Sequence, residues 1–232
     1  MKILALDSTA VAASVALCED GKLLGEYTIQ NGNTHSETLL PMVESLLDHF
    51  EMTVQDVDLF AVSSGPGSFT GVRIGVATVK GLAFAGGKPC IGVSTLEALA
   101  YNLVDFEGLI CPVMNARRKQ VYTALFRSKN GELERLWTDR AIAISELDEQ
   151  LSEYAEPVRL SGDGYDITLD LLTHPTVPTS ERLRPQSAFS VAQVARKQYE
   201  SGVRTTDAEL VATYLRPSQA ERERNERLRQ TK

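Results

Sequence analysis

Three short runs rich in strand-forming residues, KILALDS, VAASVAL and KLLGEYTI, open the chain with only STA and EDG between them. Runs this closely spaced read as three successive antiparallel strands. A helix is expected from about His35 to Glu51. The following run, DLFAVSSG, is nearly continuous in apolar residues, as a strand buried on both faces requires. A helix from about Ser68 to Ala85, the strand PCIGV and a helix over 95–104 complete the first half. The order then begins again with LICPVMN, KQVYTALFR and ELERLWT, joined by ARR and SKNG. A short helix after Ser145, the strand PVRLSG and helical segments near 164–172 and 187–201 finish the second copy. The expected organisation is two subdomains, 1–105 and 106–218, followed by a charged tail over 219–232.

The chain has 232 residues, 43% hydrophobic and 24% charged, enough for well-buried cores. No apolar stretch reaches the 18 residues of a membrane span, and MKILALDST meets Asp7 too soon for a secretory leader, so the expectation is a cytoplasmic protein with no membrane partner. Cys18, Cys90 and Cys111 lie far apart without a CxxC spacing, which argues for small core residues rather than a zinc site or a disulfide framework. A formal net charge of -7 argues against tight nucleic-acid binding by this chain alone, because phosphate affinity needs a basic footprint.

The stretch SSGPGSFTGVRIGVATVKGLA, residues 63–83, starts like a phosphate loop, but Gly71 is followed by Val72 and Arg73 instead of the lysine and hydroxyl of a Walker loop. On the helix after Ser68, Phe69, Val72, Val76, Val79 and Ala83 form an apolar stripe suited to packing on a sheet. The opposite side carries Thr70, Arg73, Ile74, Ala77, Lys80, Gly81 and Phe84, unusually apolar for a solvated face. Gly71, Gly75 and Gly81 each cost roughly 1 kcal/mol against alanine in a helix, which makes sense where another backbone approaches. On the preceding helix, Leu40, Val43 and Leu47 lie beside the expected core residues Leu39, Leu46 and Phe50. Together the two helices read as a broad apolar patch rimmed by Arg73, Lys80 and Glu44, with His35 at its edge, and such a patch marks a protein interface. The competing reading is that the chain's own second half covers it. Thr34 to Glu37 and Ser94 to Glu97 both fit a capping box.

The duplicated order resembles the actin, sugar-kinase and Hsp70 superfamily, which implies an α/β, ribonuclease H-like duplicated fold of two mixed-sheet subdomains with a cleft between them. Within it, MKILALDST, THSETLLP, SSGPGSFTGVRIGVATVKGLA, GVSTLEALA, NARRKQVY, SGDG and YLRP follow one another in the order seen in the TsaB family of bacterial tRNA threonylcarbamoyladenosine synthesis. That resemblance implies a noncatalytic subunit. It would pair with a TsaD-like catalytic subunit and, with a TsaE-like ATPase, enable transfer of threonylcarbamoyl to adenosine 37 of tRNAs that read codons starting with A. The same patch would serve a homodimer, and tRNA would be met through the complex. Where TsaD-like sequences place two metal-binding histidines four positions apart, this chain has Thr95 and Leu99, so no metal is expected. His35 and His49, 14 residues apart on one helix, are separated by roughly 21 Å at ~1.5 Å per residue and cannot share an ion. No catalytic residue is expected, and no cofactor beyond weak nucleotide contact through Asp7 or Thr9 within the complex. Asn115, without charge, stands where active superfamily members place an acidic magnesium organiser. The alternative reading is a free-standing ATP-dependent phosphotransferase or ATPase of the same superfamily.

Overall fold

The computed structural model describes residues 1–32 and 34–216. Its first sheet is built from β1 (Lys2–Asp7), β2 (Ala13–Glu19), β3 (Lys22–Ile29), β4 (Leu59–Gly65) and β5 (Cys90–Ser94), with helices α1 (His35–Asp48), α2 (Phe69–Gly86) and α3 (Thr95–Tyr101) between and after them. The strand order is β3-β2-β1-β4-β5. The three opening strands pair antiparallel, Ala5 facing Ala16, while β4 and β5 continue the sheet in parallel.

Alternation along β1 explains why its residues are apolar without a gap. Leu4 and Leu6 face one side, where they meet Leu39, Met42 and Leu46 of α1 and Val72 and Val79 of α2. Ile3 and Ala5 face the other, among Ala98 of α3 and Val191, Ala192 and Ala195 of a later helix. A strand whose side chains point alternately to two covered faces must be apolar at every position.

The second half adds β6 (Gly108–Asn115), β7 (Gln120–Thr123), β8 (Phe126–Lys129), β9 (Glu132–Arg135), β10 (Arg140–Ala143), α4 (Ile144–Leu151), β11 (Val158–Ser161), α5 (Tyr165–Leu169), β12 (Thr176–Val177) and α6 (Ala188–Glu200). Again antiparallel strands flank a central one, β6, and again a parallel strand, β11, lies on its other side. Two mixed sheets of matching order make this the actin-like, ribonuclease H-like duplicated fold.

KQVYTALFR, expected as one strand, is two. The chain leaves β6 after Thr123 and returns at Phe126, so β7 pairs with the end of β6 and β8 with its beginning. Leu125, at the break, accepts the backbone N–H groups of Leu136 and Trp137 instead of a ladder partner. The second sheet ends at Val177, and α6 crosses back to pack on the first sheet, its alanines against Ile3 and Ala16. Helix α6 therefore packs on the first sheet although it follows the second sheet in the chain. The charged tail over 219–232 lies outside the described residues.

Candidate functional site

The loop after β1 sits under α2. Ser8 Oγ donates to the Gly71 carbonyl at 2.9 Å, and the Thr9 carbonyl accepts from Ser68 N at 2.7 Å. A Cβ on Gly71 would fall 2.0 Å from the Ser8 carbonyl oxygen, and one on Gly75 would fall 2.5 Å from Ser8 Oγ. The backbone approach that these glycines permit is thus the chain's own first hairpin. Gly81 differs, since nothing lies within 4 Å of its Cβ position.

Asp7 is buried behind this loop and spends its carboxylate internally. It accepts from Thr9 N at 2.8 Å, Thr9 Oγ1 at 2.7 Å and Ser63 Oγ at 2.5 Å. Burial raises the carboxyl above the usual range, and the Ser63 and Thr9 donors pull the other way. Across the cleft, Asn115 N donates to Asp163 Oδ1 at 3.1 Å while Asn115 Oδ1 accepts from Arg117 N at 2.8 Å. Crowding by protein also raises Asp163. Between the halves lies a cavity of about 530 Å³ lined by Thr9, Phe69, Asn115, Arg117, Tyr122 and Asp163 among others. Of the two residues expected to touch a nucleotide, Thr9 reaches this cavity wall and Asp7 lies beneath it.

Thr95 and Leu99 are both buried. His35 Nε2 is 2.7 Å from the Ala10 carbonyl, His49 Nδ1 is 2.7 Å from the Ser45 carbonyl, and His174 Nε2 is 3.1 Å from the Glu156 carbonyl. Among the described residues no group of three His, Cys, Asp or Glu could hold a metal ion. No helix among them is long and apolar enough to cross a membrane. The Thr34 capping box does not form, since Thr34 makes no side-chain cap. Ser94 does cap α3, accepting from Glu97 N at 3.2 Å, but Glu97 turns away to an ion pair with Arg135 at 2.7 Å.

The apolar patch needs two corrections. First, Val43 and Leu47, expected on its surface, are buried in the first-half core, while Phe50, expected in the core, is exposed. Helix α1 buries five positions, Leu39, Met42, Val43, Leu46 and Leu47, a broader inward stripe than the sequence reading allowed. Second, Arg73 and Lys80 are not a free rim, because residues 204–216 run as a strap along one flank of α2. Lys80 Nζ donates to the Leu210 carbonyl at 3.1 Å, and Arg73 Nε donates to Tyr214 Oη at 3.0 Å. Tyr214 stacks on Phe69 with ring centroids 4.0 Å apart, and the Arg73 guanidinium lies 4.5 Å from the Phe69 ring centroid. Thr213 N anchors the strap to the Ser64 carbonyl at 2.7 Å. Ile74 and His35 are half-buried. The open remainder is Leu40 on α1 and Thr70, Ala77, Gly81 and Phe84 on α2, Phe84 at 77% exposure. Sequence reasoning missed the strap, whose signal was the pair of aromatics Phe69 and Tyr214, 145 positions apart.

The family model for TsaD, tRNA N6-adenosine threonylcarbamoyltransferase, matches residues 24–221. The tRNA threonylcarbamoyladenosine biosynthesis protein TsaB of Bacillus subtilis is 41% identical over 162 residues, covering 70% of this chain and 71% of that protein. The TsaB of Escherichia coli is 38% identical over 134 residues, covering 56% of this chain and 58% of that protein. A solved structure from Pseudomonas aeruginosa, described as YeaZ, superposes with a TM-score of 0.82 at 28% identity, covering 92% of this chain and 99% of that one.

Proposed function

Because the chain belongs to the TsaB family, the proteins of tRNA threonylcarbamoyladenosine biosynthesis, we propose that it is the noncatalytic partner of a TsaD-like catalytic subunit. With a TsaE-like ATPase, the pair transfers threonylcarbamoyl to adenosine 37 of tRNAs reading codons that start with A. The observation that carries this reading is the uncovered outer face of α2, where Ala77 and Gly81 leave room for a close-packed helix and Phe84 projects at 77% exposure. Large apolar side chains beside small ones, next to the exposed Leu40 of α1, give the apolar centre of a helix-to-helix interface.

The cleft favours a second, subordinate role. Its cavity of about 530 Å³, with Thr9 on one wall and Tyr122 on the other, has room for a nucleotide held weakly. The carboxylate nearest the first hairpin, Asp7, is already taken up by three donors, which argues against that cleft organising magnesium tightly.

Reconstitution tests the proposal. The chain is added to a TsaD-like subunit, a TsaE-like ATPase, threonylcarbamoyl-adenylate and tRNA, and modified adenosine is counted. The expected result is transfer that requires both this chain and the catalytic subunit. Transfer by this chain without the catalytic subunit, or transfer unaffected by leaving this chain out, refutes it.

A further inference from the structure

The turn between β6 and β7 is built from Arg117, Arg118 and Lys119, with φ of 63°, 53° and 55°. Three consecutive non-glycine residues in the left-handed region are a conformation that L side chains resist, because Cβ crowds the following carbonyl. Glycine or asparagine would serve the turn better, yet three long cations occupy it. The turn is held from outside as well as within: Ala116 N bonds the Gln120 carbonyl at 2.9 Å, Gln120 N bonds the Arg117 carbonyl at 3.1 Å, and Ile144 N bonds the Lys119 carbonyl at 3.1 Å. All three side chains are exposed. A fourth cation, Arg216, arrives on the end of the strap, where it donates to Gln120 Oε1 at 2.6 Å and sits 5.9 Å from the Tyr122 ring centroid.

Among the described residues, two carboxylates near this corner already accept hydrogen bonds from within the chain. Asp163 accepts from Asn115 N, and Glu146, in the first turn of α4, accepts from Gln150 Nε2 at 3.2 Å. A chain of net charge -7 therefore gathers four cations at the cleft mouth. Clustered basic side chains of this kind are what phosphate backbones require.

We propose that the Arg117 to Lys119 turn, with Arg216 beside it, is this chain's own contact with the phosphate backbone of tRNA in the assembled complex. This rests on the function proposed above. The cations steer and position the RNA without reading its sequence, since phosphate contacts carry register rather than base identity. The chain's overall negative charge keeps it from holding RNA tightly alone, so the turn acts once a partner supplies the rest of the footprint.

The test uses Arg118→Gly combined with Lys119→Gly, because glycine is at ease with positive φ and removes charge without disturbing the turn. The pair should leave the melting temperature unchanged or raised and leave binding to the TsaD-like subunit unchanged, both measured directly. Fluorescently labelled tRNA is then titrated with the complex at several salt concentrations. The expected result is an affinity loss of at least about tenfold at low salt, with the salt slope shallower by about two, one for each lost phosphate contact. Arg118→Lys should retain most of the affinity. Equal affinity and slope for wild type and double variant overturn the proposal. So does a double variant that loses Mg-ATP binding while keeping tRNA binding, which would assign the turn to a nucleotide. If no complex assembles, the function proposed above fails, and the turn is judged on the isolated chain at low salt. There the double variant must still lower tRNA binding, and equal binding again overturns the proposal.

Discussion

Substituting Gly71 and Gly81 by alanine, one at a time, puts the same methyl group on the same helix with opposite consequences. At Gly81 nothing lies within 4 Å of the new Cβ, so only the helix preference acts. Alanine is favoured over glycine in a helix interior by roughly 1 kcal/mol, and Gly81→Ala should stabilise by about that much. At Gly71 the methyl would fall 2.0 Å from the Ser8 carbonyl oxygen, where ordinary contact begins at 3.4 Å. The obstacle is backbone, so the hairpin itself must back away from α2. That movement strains the Ser8 Oγ bond to the Gly71 carbonyl and the Thr9 carbonyl bond to Ser68 N. Overpacking typically costs about 1–3 kcal/mol, and two strained hydrogen bonds add about 1 kcal/mol each. After the helix gain is set against these, Gly71→Ala should lose about 2–4 kcal/mol. At about 2–4 °C per kcal/mol for a chain of this size, the two variants should melt roughly 10 °C apart. Thermal unfolding followed by circular dichroism, with urea titration as a second measure, reads both. A Gly71→Ala protein as stable as Gly81→Ala would refute the packing of α2 on the first hairpin.

Tyr214→Ala removes the stack on Phe69 and the acceptor for Arg73. It should speed hydrogen exchange at the Thr213 amide at least several-fold while leaving the β1 amides protected; unchanged exchange would mean the strap does not depend on this contact. Burial pushes the Cys18 and Cys111 thiols up to about 12 and Cys90 to about 11. Iodoacetamide near neutral pH should therefore label none of them in the folded protein and all three after unfolding. Asp7 is raised by burial above its usual 3.8, so the folded chain holds that proton more tightly than the unfolded chain. Its contribution to stability is present below that value and is lost as pH climbs through the folded pKa. The stability advantage of wild type over Asp7→Asn, from urea midpoints, should consequently shrink as pH rises above about 4, and growth with rising pH would contradict it.

The first half of the fold was legible because its strands are buried on two faces and its turns are short. KILALDS and DLFAVSSG announce themselves by unbroken apolar character, which solvent-facing strands never show. The second half blurred where one run makes two strands against the same neighbour, β6. Nothing in KQVYTALFR marks Ala124 and Leu125 as a break, because both are apolar and both are buried. The interface reading was half legible for a similar reason. Periodicity separates an inward from an outward face, but it cannot tell a stripe of three positions per two turns from a broader one, so Val43 and Leu47 were placed outside. Arg73 and Lys80 read as a solvated rim because the residues that engage them, Leu210 and Tyr214, lie more than a hundred positions away. A contact of that separation leaves no local signature. The glycines were recognised as sites of close approach, and for Gly71 and Gly75 the approaching group turned out to be Ser8 of the same chain.

The most direct test of the central claim is a calorimetric titration of a TsaD-like catalytic subunit with this chain and with its Ala77→Glu variant. Ala77 is exposed on the open face of α2, so the new carboxylate is harmless in the free chain and desolvated only when a partner helix closes over it. The account predicts an unchanged thermal transition and an affinity lower by a factor of at least about a hundred, which corresponds to a loss of roughly 2.8 kcal/mol. A variant that binds the catalytic subunit as tightly as wild type would contradict it, and the outer face of α2 would then have no part in the assembly.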